Sequence, residues 1–591
     1  MFILHKKHQM LRTRLRDQHD RYSFLTACEG RRAMIGVIAD PSEQDVVREF
    51  FELFKTPWEF YRRDVRYEVL LCTGDGQFDG TTKLVLFYAG RKTHCDYEQR
   101  IQTSCQRKHT CILSYQGNRI PIYGDTVTFP ENGMGLLVDE DSRLCAAFLS
   151  PARERVVARI GYDLFREIRM LLTVGQPSAN AAMPALELHI AFLRHLITRC
   201  GVPLVEIPPV PEGHPFIACL THDVDHPSIR QHKWDHTMFG FLYRAVFGSL
   251  RNVIRERMPL SDVVRNWAAA LKLPFVHLGL AKDFWREFAN RYLELEKGLR
   301  STFFVIPFKN RPGKTAHGPA PMFRTARYGA QDIADKIQEL ITAGCEVGLH
   351  GIDAWRDGSK GFEELGEIRR LTGVSEIGVR MHWLYYDQQS PAALEKAGAA
   401  YDASVGYNET VGYRAGTTQA YKPLEATRLL ELPLHVMDTA LFYPAHLALS
   451  PPQARTALGR MVENAGRFGG CLTINWHDRS IAPERQWDAS YRDLIQDLKS
   501  RGAWFSTAGQ AISWFRKRRS AVFEANPTEP GAVRASVPVN DGDDLPGLRL
   551  RIHRGRELSE NLSDGSEGHT DISIDESVDT RVPCEHIKQN R

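Results

Sequence analysis

Two periods alternate along most of this chain. From Met34 the apolar residues form an unbroken strand-like block in AMIGVIAD, then recur three and four apart in SEQDVVREFFELF. They return to short strand-like blocks in YEVLLCTG and KLVLFYAG. Strand runs mixed with helical spacing predict a smaller α/β domain over residues 31–210. It closes with two helical patterns, GYDLFREIRMLLT and MPALELHIAFLRHLITRC. The stretch VPLVEIPPVPEGHP is proline-rich and reads as a linker.

From Phe216 to Trp514 the same alternation resumes. Candidate strands are FIACLTHD, RSTFFVIPF, EVGLHG, GVRMHW, AAYDASV, LLELPLHV and CLTINWHD. Helical stretches such as QDIADKIQELITAG and SPAALEKAG separate several of them, each stopped by a glycine. This predicts a second α/β unit over 215–518 with a parallel sheet, open or closed into a barrel. Residues 1–30 read as a basic lead-in. Residues 519–591, rich in Gly, Asp, Ser and Glu, read as a disordered polar tail.

Composition narrows the function classes. A net charge of +4 over 591 residues gives no basic excess of the kind nucleic-acid binding needs. The eleven cysteines include no C-x-x-C pair, against both a disulfide framework and a thiolate zinc site. The first residues lack the apolar run of a signal peptide, and no stretch reaches the ~18 apolar residues of a membrane span. The expectation is a cytoplasmic protein.

Five candidate strands end in groups able to do chemistry. In a parallel barrel those ends share one face, so distant residues converge there. In HDVDH, period-two alternation puts Asp223 and Asp225 on one side, where one could bind a divalent metal and the other act as a base. LHGIDAW offers His350 and Asp353 for the same ion, and imidazole with carboxylate suits zinc. INWHD ends in His477, a candidate general acid. GVRMHW places Arg380 where a guanidinium could orient a carboxylate. Each motif also has an ordinary reading as a turn, a cap, a structural histidine or a surface ion pair.

With these residues in hand, 216–517 resembles a divergent polysaccharide deacetylase, the NodB-like family of carbohydrate deacetylases. THDVD is similar to that family's opening D-x-D strand, and STFFV to its second strand. The resemblance implies a distorted (β/α) barrel, often of seven rather than eight strands. It implies Asp223 as catalytic base, Asp225 and His350 as metal ligands, Arg380 as the residue orienting the base, and His477 as general acid. The chain departs from the family's H-S/T-x-x-H motif, because Ala354 stands where the second histidine belongs. Asp353 is then the nearest replacement ligand. His382 replaces a proline beside Trp383, the aromatic wall. Asp402 either supports Arg380 or lines the site. His382, Trp383 and Asp402 are thus expected on the substrate side.

The function expected is metal-dependent removal of an N-acyl group from a carbohydrate, with zinc as cofactor, in cell-surface or exopolysaccharide metabolism. The alternatives are a deformylase or other small-amide hydrolase of the same barrel, or a non-catalytic glycan-binding relative. A cytoplasmic location favours a sugar-nucleotide or lipid-linked glycan substrate. A long insertion after Asp225 interleaves Trp234, Phe239, Phe241, Tyr243 and Phe247 with Arg230, Lys233 and Arg244. It reads as packing over the barrel mouth, as a sugar-stacking lid, or as an amphipathic surface in peripheral contact with a membrane. His232, Asp235 and His236 are candidates for a second polar cluster. The first domain has no glycine-rich phosphate loop and is assigned no nucleotide.

Overall fold

A computed structural model of the chain describes residues 32–74, 82–98, 100–104, 106–130, 135–152, 155–254, 260–315, 317–525, 533–537, 545–555, 568–574 and 580–582. The basic lead-in lies outside them.

The barrel closes through seven extended segments. Its strands are β1 (Ile217–Val224), β2 (Thr302–Val305), β3 (Glu346–Gly351), β4 (Val379–Met381), β5 (Val436–Met437) and β6 (Cys471–Asn475). β1 pairs in parallel with β2 along its C-terminal half and with β6 along its N-terminal half. β3 and β4 continue from β2. From β4 the ring runs by single parallel bridges, Val379 to Asp402 and Asp402 to Glu431. The Leu434 and His435 amides then donate to the Val405 and Thr473 carbonyls, and β5 pairs with β6. The expected AAYDASV and LLELPLHV strands therefore exist mainly as irregular extended chain. One strand the pattern did not predict, β7 (Trp504–Ser506), sits beside the N-terminal half of β1.

Helices pack against the outside of this ring. Asp357 caps the helix Gly358–Thr372 by accepting from the Ser359 and Lys360 amides, and Gly373 ends it at φ 73°. Pro391 starts Ser390–Ala397, and Gly398 ends it at φ 83°. Both stops need the left-handed conformation that glycine adopts without a Cβ clash. Leu220, Phe303, Leu349, Ile474 and Trp476 are buried in one apolar core under these helices.

The first domain is a nine-stranded mixed sheet. Its parallel half runs Trp58–Phe60, Arg32–Ile38, Tyr67–Thr73, Leu84–Tyr88 and Arg155–Ile160. An antiparallel half, Cys145–Ala152, Gly135–Asp139, Cys111–Tyr115 and Asn118–Ile122, extends it. The helix Ala185–Arg199 packs its apolar residues into the same core.

Two expectations need correcting. The proline-rich stretch is no free linker: Leu204–Glu206 pairs antiparallel with Leu548–His553, and Ile207 is fully buried. The described parts of 519–591 are ordered strands rather than a disordered tail. Leu548–His553 also pairs with His569–Ile574, and Val522–Ala525 pairs with Val533–Ser536. Leu548, Leu550 and Ile574 alternate with polar residues and bury one face of their sheet. That period-two signal is short and set in polar surroundings, so overall composition masks it.

Candidate active site

Period two governs the centre of the barrel mouth. Asp223 and Asp225 leave β1 on one side, as Arg380 and His382 leave β4. The register His350 to Arg380 aligns β3 with them. Asp225, His350 and His382 each offer a ligand atom, all within 4.8 Å of one another. Asp225 Oδ1 lies 3.4 Å from His350 Nε2 and 3.5 Å from His382 Nε2. That oxygen is inaccessible and has no hydrogen-bond partner.

The donor set fits a divalent cation. His350 Nδ1 lies 3.0 Å from the Arg380 carbonyl, an acceptor only, so Nδ1 carries the proton and Nε2 presents its lone pair. Burial pushes the His382 pKa well below the ordinary value, which favours the neutral ring. Burial would raise the Asp225 carboxyl, but the imidazoles of His350, His382 and His477 around it hold it well below the usual range. An ionised carboxylate with two neutral imidazoles is a common ligand set for zinc-like ions.

Asp353, the expected third ligand, is absent from this group. Its Oδ1 accepts from the Lys314 amide at 2.8 Å, and its Oδ2 pairs with Lys360 Nζ at 3.0 Å. The Ile352 and Asp353 amides both donate to the buried Glu364 carboxyl, which fixes the turn. His382, expected on the substrate side, stands in the ligand position instead.

Asp223 is buried beside this group. Arg380 Nη1 donates to its Oδ1 at 3.2 Å, and Asn475 Nδ2 to its Oδ2 at 2.7 Å. Arg380 is itself anchored by Thr221 Oγ1 and the Ala403 carbonyl, with its guanidinium 4.6 Å from the Phe304 ring centre. Across the mouth, His477 Nδ1 donates to Asp438 Oδ1 at 2.6 Å, and its amide to Asp438 Oδ2 at 2.7 Å. Burial alone would lower the His477 pKa. The Asp438 charge and hydrogen bond, helped by Asp225, outweigh it and raise the value to about 10. The imidazolium therefore presents Nε2–H, 3.8 Å from Asp225 Oδ2.

A cavity of about 470 Å³ opens over these groups. Trp383 lines it with φ 65°, a left-handed conformation rare for a bulky residue and typical of strained functional sites. Its ring centre is 5.2 Å from that of Phe323. Asp402 does not reach the cavity. It lies buried behind Arg380, accepting from the Ala403 amide and facing Glu431. His226 does line the cavity. Its Nδ1 lies 3.1 Å from His232 Nε2, and His232 Nδ1 lies 2.8 Å from Asp235 Oδ2. His236 instead begins the next helix.

Asn475 and Asp438 escaped the sequence reading. Asn475 stands two before His477 and so shares its side of the strand, a readable signal. Asp438 follows two residues after LLELPLHV, where the pattern had already run out.

No known family's profile matches the chain, and no curated protein does. Among solved structures, Agd3, a carbohydrate deacetylase, covers 94% of this chain and 100% of its own at 9% identity and TM-score 0.35. Puue allantoinase covers 52% and 93% at 15% identity and TM-score 0.33. The peptidoglycan deacetylase PdaC from Bacillus subtilis covers 53% and 95% at 14% identity and TM-score 0.23. These likenesses are distant, and the chemistry rests on the geometry of this chain's own residues.

Proposed function

We propose that the chain is a metal-dependent hydrolase that removes an N-acyl group from a carbohydrate. The observation carrying this reading is one juxtaposition: the Asp225–His350–His382 ligand group lies between a carboxylate held by Arg380 and an imidazolium held by Asp438. A divalent cation held there supplies Lewis acidity toward water and the acyl carbonyl.

The chain's own residues supply the proton transfers. Asp223 accepts the proton of the attacking water, while Arg380 and Asn475 fix its two oxygens. Water adds to the amide carbon and the carbonyl becomes tetrahedral. His477 then gives its Nε2 proton to the departing nitrogen, because an amide anion is too basic to leave unprotonated. Asp438 holds the ring and stabilises its charged form. Trp383 and Phe323 form an aromatic wall suited to a sugar face.

Acetate release from N-acetylated oligosaccharides by zinc-loaded protein tests the reading. Asp223→Asn and His477→Gln should each lower kcat by about 10²–10⁴ while the protein keeps its metal. Bound metal with no acyl release from any N-acyl sugar would leave the small-amide hydrolase reading in its place. A role in cell-surface polysaccharide metabolism fits such a substrate.

A further inference from the structure

We propose that the cavity wall formed by Arg479 and Arg485 is a subsite for an oxyanion, a carboxylate or phosphate ester, carried by the substrate. This rests on the deacetylase reading for the word substrate, though not for the binding itself. Both arginines line the cavity that holds Asp225 and His477, and both are buried. Arg479 stacks on Trp285 at 4.7 Å, but its guanidinium has no hydrogen-bond or ion-pair partner among the described residues, and its Nη1 is sealed from water. Arg485 donates to Tyr443 Oη and packs on Trp487 at 5.1 Å, leaving its Nε without a partner.

Arg244 stands close enough to add a third charge. Burial, with the Arg485 and Arg479 charges, lowers its pKa to about 10. The acidic groups nearby, Glu484, Asp438 and Asp478, favour the charged arginines, but none forms an ion pair with Arg479 or Arg485 among the described residues. Glu484 accepts from Trp285 Nε1, and Asp478 accepts from the His226 and Arg479 amides. Tyr443 reports the resulting field: burial would raise its pKa, yet Arg485 and Arg479 bring it below the ordinary value. A buried cation left unpaired is costly, and a bound anion removes the cost while gaining charge-assisted hydrogen bonds.

Trp285 and Trp487 lie under the two guanidiniums, so tryptophan emission reads occupancy directly. The full chain, stripped of metal by chelation, is titrated with acetate, inorganic phosphate and pyrophosphate at ionic strength matched by chloride. A saturable change is expected, with acetate favoured for a carboxylate and the phosphates for a phosphate ester. Arg479→Gln and, separately, Arg485→Gln should weaken it at least about tenfold, Arg479→Lys less, with thermal melts showing that each variant folds. Asp225→Ala should leave it intact. No saturation by any of the three anions, or an undiminished response in both glutamine variants, overturns the subsite. A response lost in Asp225→Ala moves the anion to the metal group and overturns it too. An arginine-dependent response in a protein that binds no metal and releases no acetate would leave the subsite and remove the deacetylase reading.

A separate observation concerns the insertion after β1. Phe239, Tyr243, Phe247, Leu250 and Ile254 are exposed at spacings of three and four along 236–254. Val264, Trp267, Leu271, Phe275 and Leu278 form a second exposed stripe along 264–278. Trp267 Nε1 donates to the Val246 carbonyl, so the two helical segments are neighbours. Residues 228–286 hold ten Lys and Arg against four Asp and Glu, more than the whole chain's net charge of +4. No helix among the described residues is long and apolar enough to cross a membrane. We infer that these helices lie on an anionic lipid surface, with aromatic and aliphatic side chains in the headgroup boundary and the basic residues beside them. The full chain should sediment with phosphatidylcholine vesicles containing phosphatidylglycerol, less with phosphatidylcholine alone, and less again in high salt. The double variant Val264→Ser, Leu271→Ser, altered only at exposed positions, should lose this binding. Equal binding to both vesicles, none to either, or a dimer that the variant abolishes would overturn the inference.

Discussion

His382 and Asp353 divide the ligand question between two single side chains. His382→Ala should weaken zinc binding by more than the about 10–100-fold that follows loss of a residue merely orienting a ligand. Asp353→Asn should leave the stoichiometry unchanged, because that carboxylate serves Lys314 and Lys360. Metal analysis of the dialysed variants separates the two. Behind Arg380, Asp402 and Glu431 form a buried carboxyl pair. Burial raises Asp402 to about 6 and Glu431, further pushed by Asp402, well above its ordinary value. Each leaves one oxygen without another partner, as a shared proton requires. Both folded values lie above the unfolded ones, so the pair's stabilisation is fully present below about pH 4 and is lost as pH rises through about 6 and beyond. Glu431→Gln keeps a donor toward Asp402 without the second charge. The melting temperature should therefore fall less steeply in Glu431→Gln than in wild type between about pH 5 and 8.

Elements differed in how openly they announced themselves. β1, β3 and β6 are short apolar runs ending in polar residues, and a periodic signal suffices for them. The segments 401–405 and 429–437 are held by single bridges and side chains, so their residues follow no period. Ser404 Oγ accepts from the Met381 amide, and Glu431 Oε1 from Val405. Close approach matters as much as period at the start of β4. An ideal Cβ on Gly378 would stand 1.9 Å from Tyr401 Cζ, and Tyr401 donates to Glu346 at 2.7 Å. Gly378→Ala should therefore destabilise the fold by about 1–3 kcal/mol, read from denaturant melts. It should also lower activity, because β4 carries Arg380 and His382.

At the scale of the molecule, the first domain is part of the barrel's wall. Val405, Ala415 and Tyr421 belong to its apolar core rather than to the barrel's own. Glu187 is buried against Thr417, Thr418 and Gln419. Arg519 forms a bidentate pair with Glu49 at 2.8 Å, and Arg518 bonds to the Leu53 and Ile207 carbonyls. Residues 211–591 expressed alone should be insoluble or lack a cooperative melt. In the full chain, Glu49→Ala should cost about 3–5 kcal/mol by stranding the Arg519 charge. Residues 211–591 folding alone with an unchanged melt would contradict this view of the first domain.

Local physics determined much of this protein from its sequence. Strand and helix periods located both α/β units, and the rule that parallel strand ends share a face brought Asp223, Asp225, His350, Arg380 and His477 to one place. Tertiary structure alone decided which groups complete that place. Asp353 and His382 look equally able to bind a metal along the chain, and only Glu364, holding the turn after β3, directs Asp353 away. Asn475 owes its role to Asp223, 252 residues away, and Asp438 owes its role to His477, 39 residues away on another strand end. The irregular strands and the C-terminal sheets are ordered by contacts across the molecule, which no local period records.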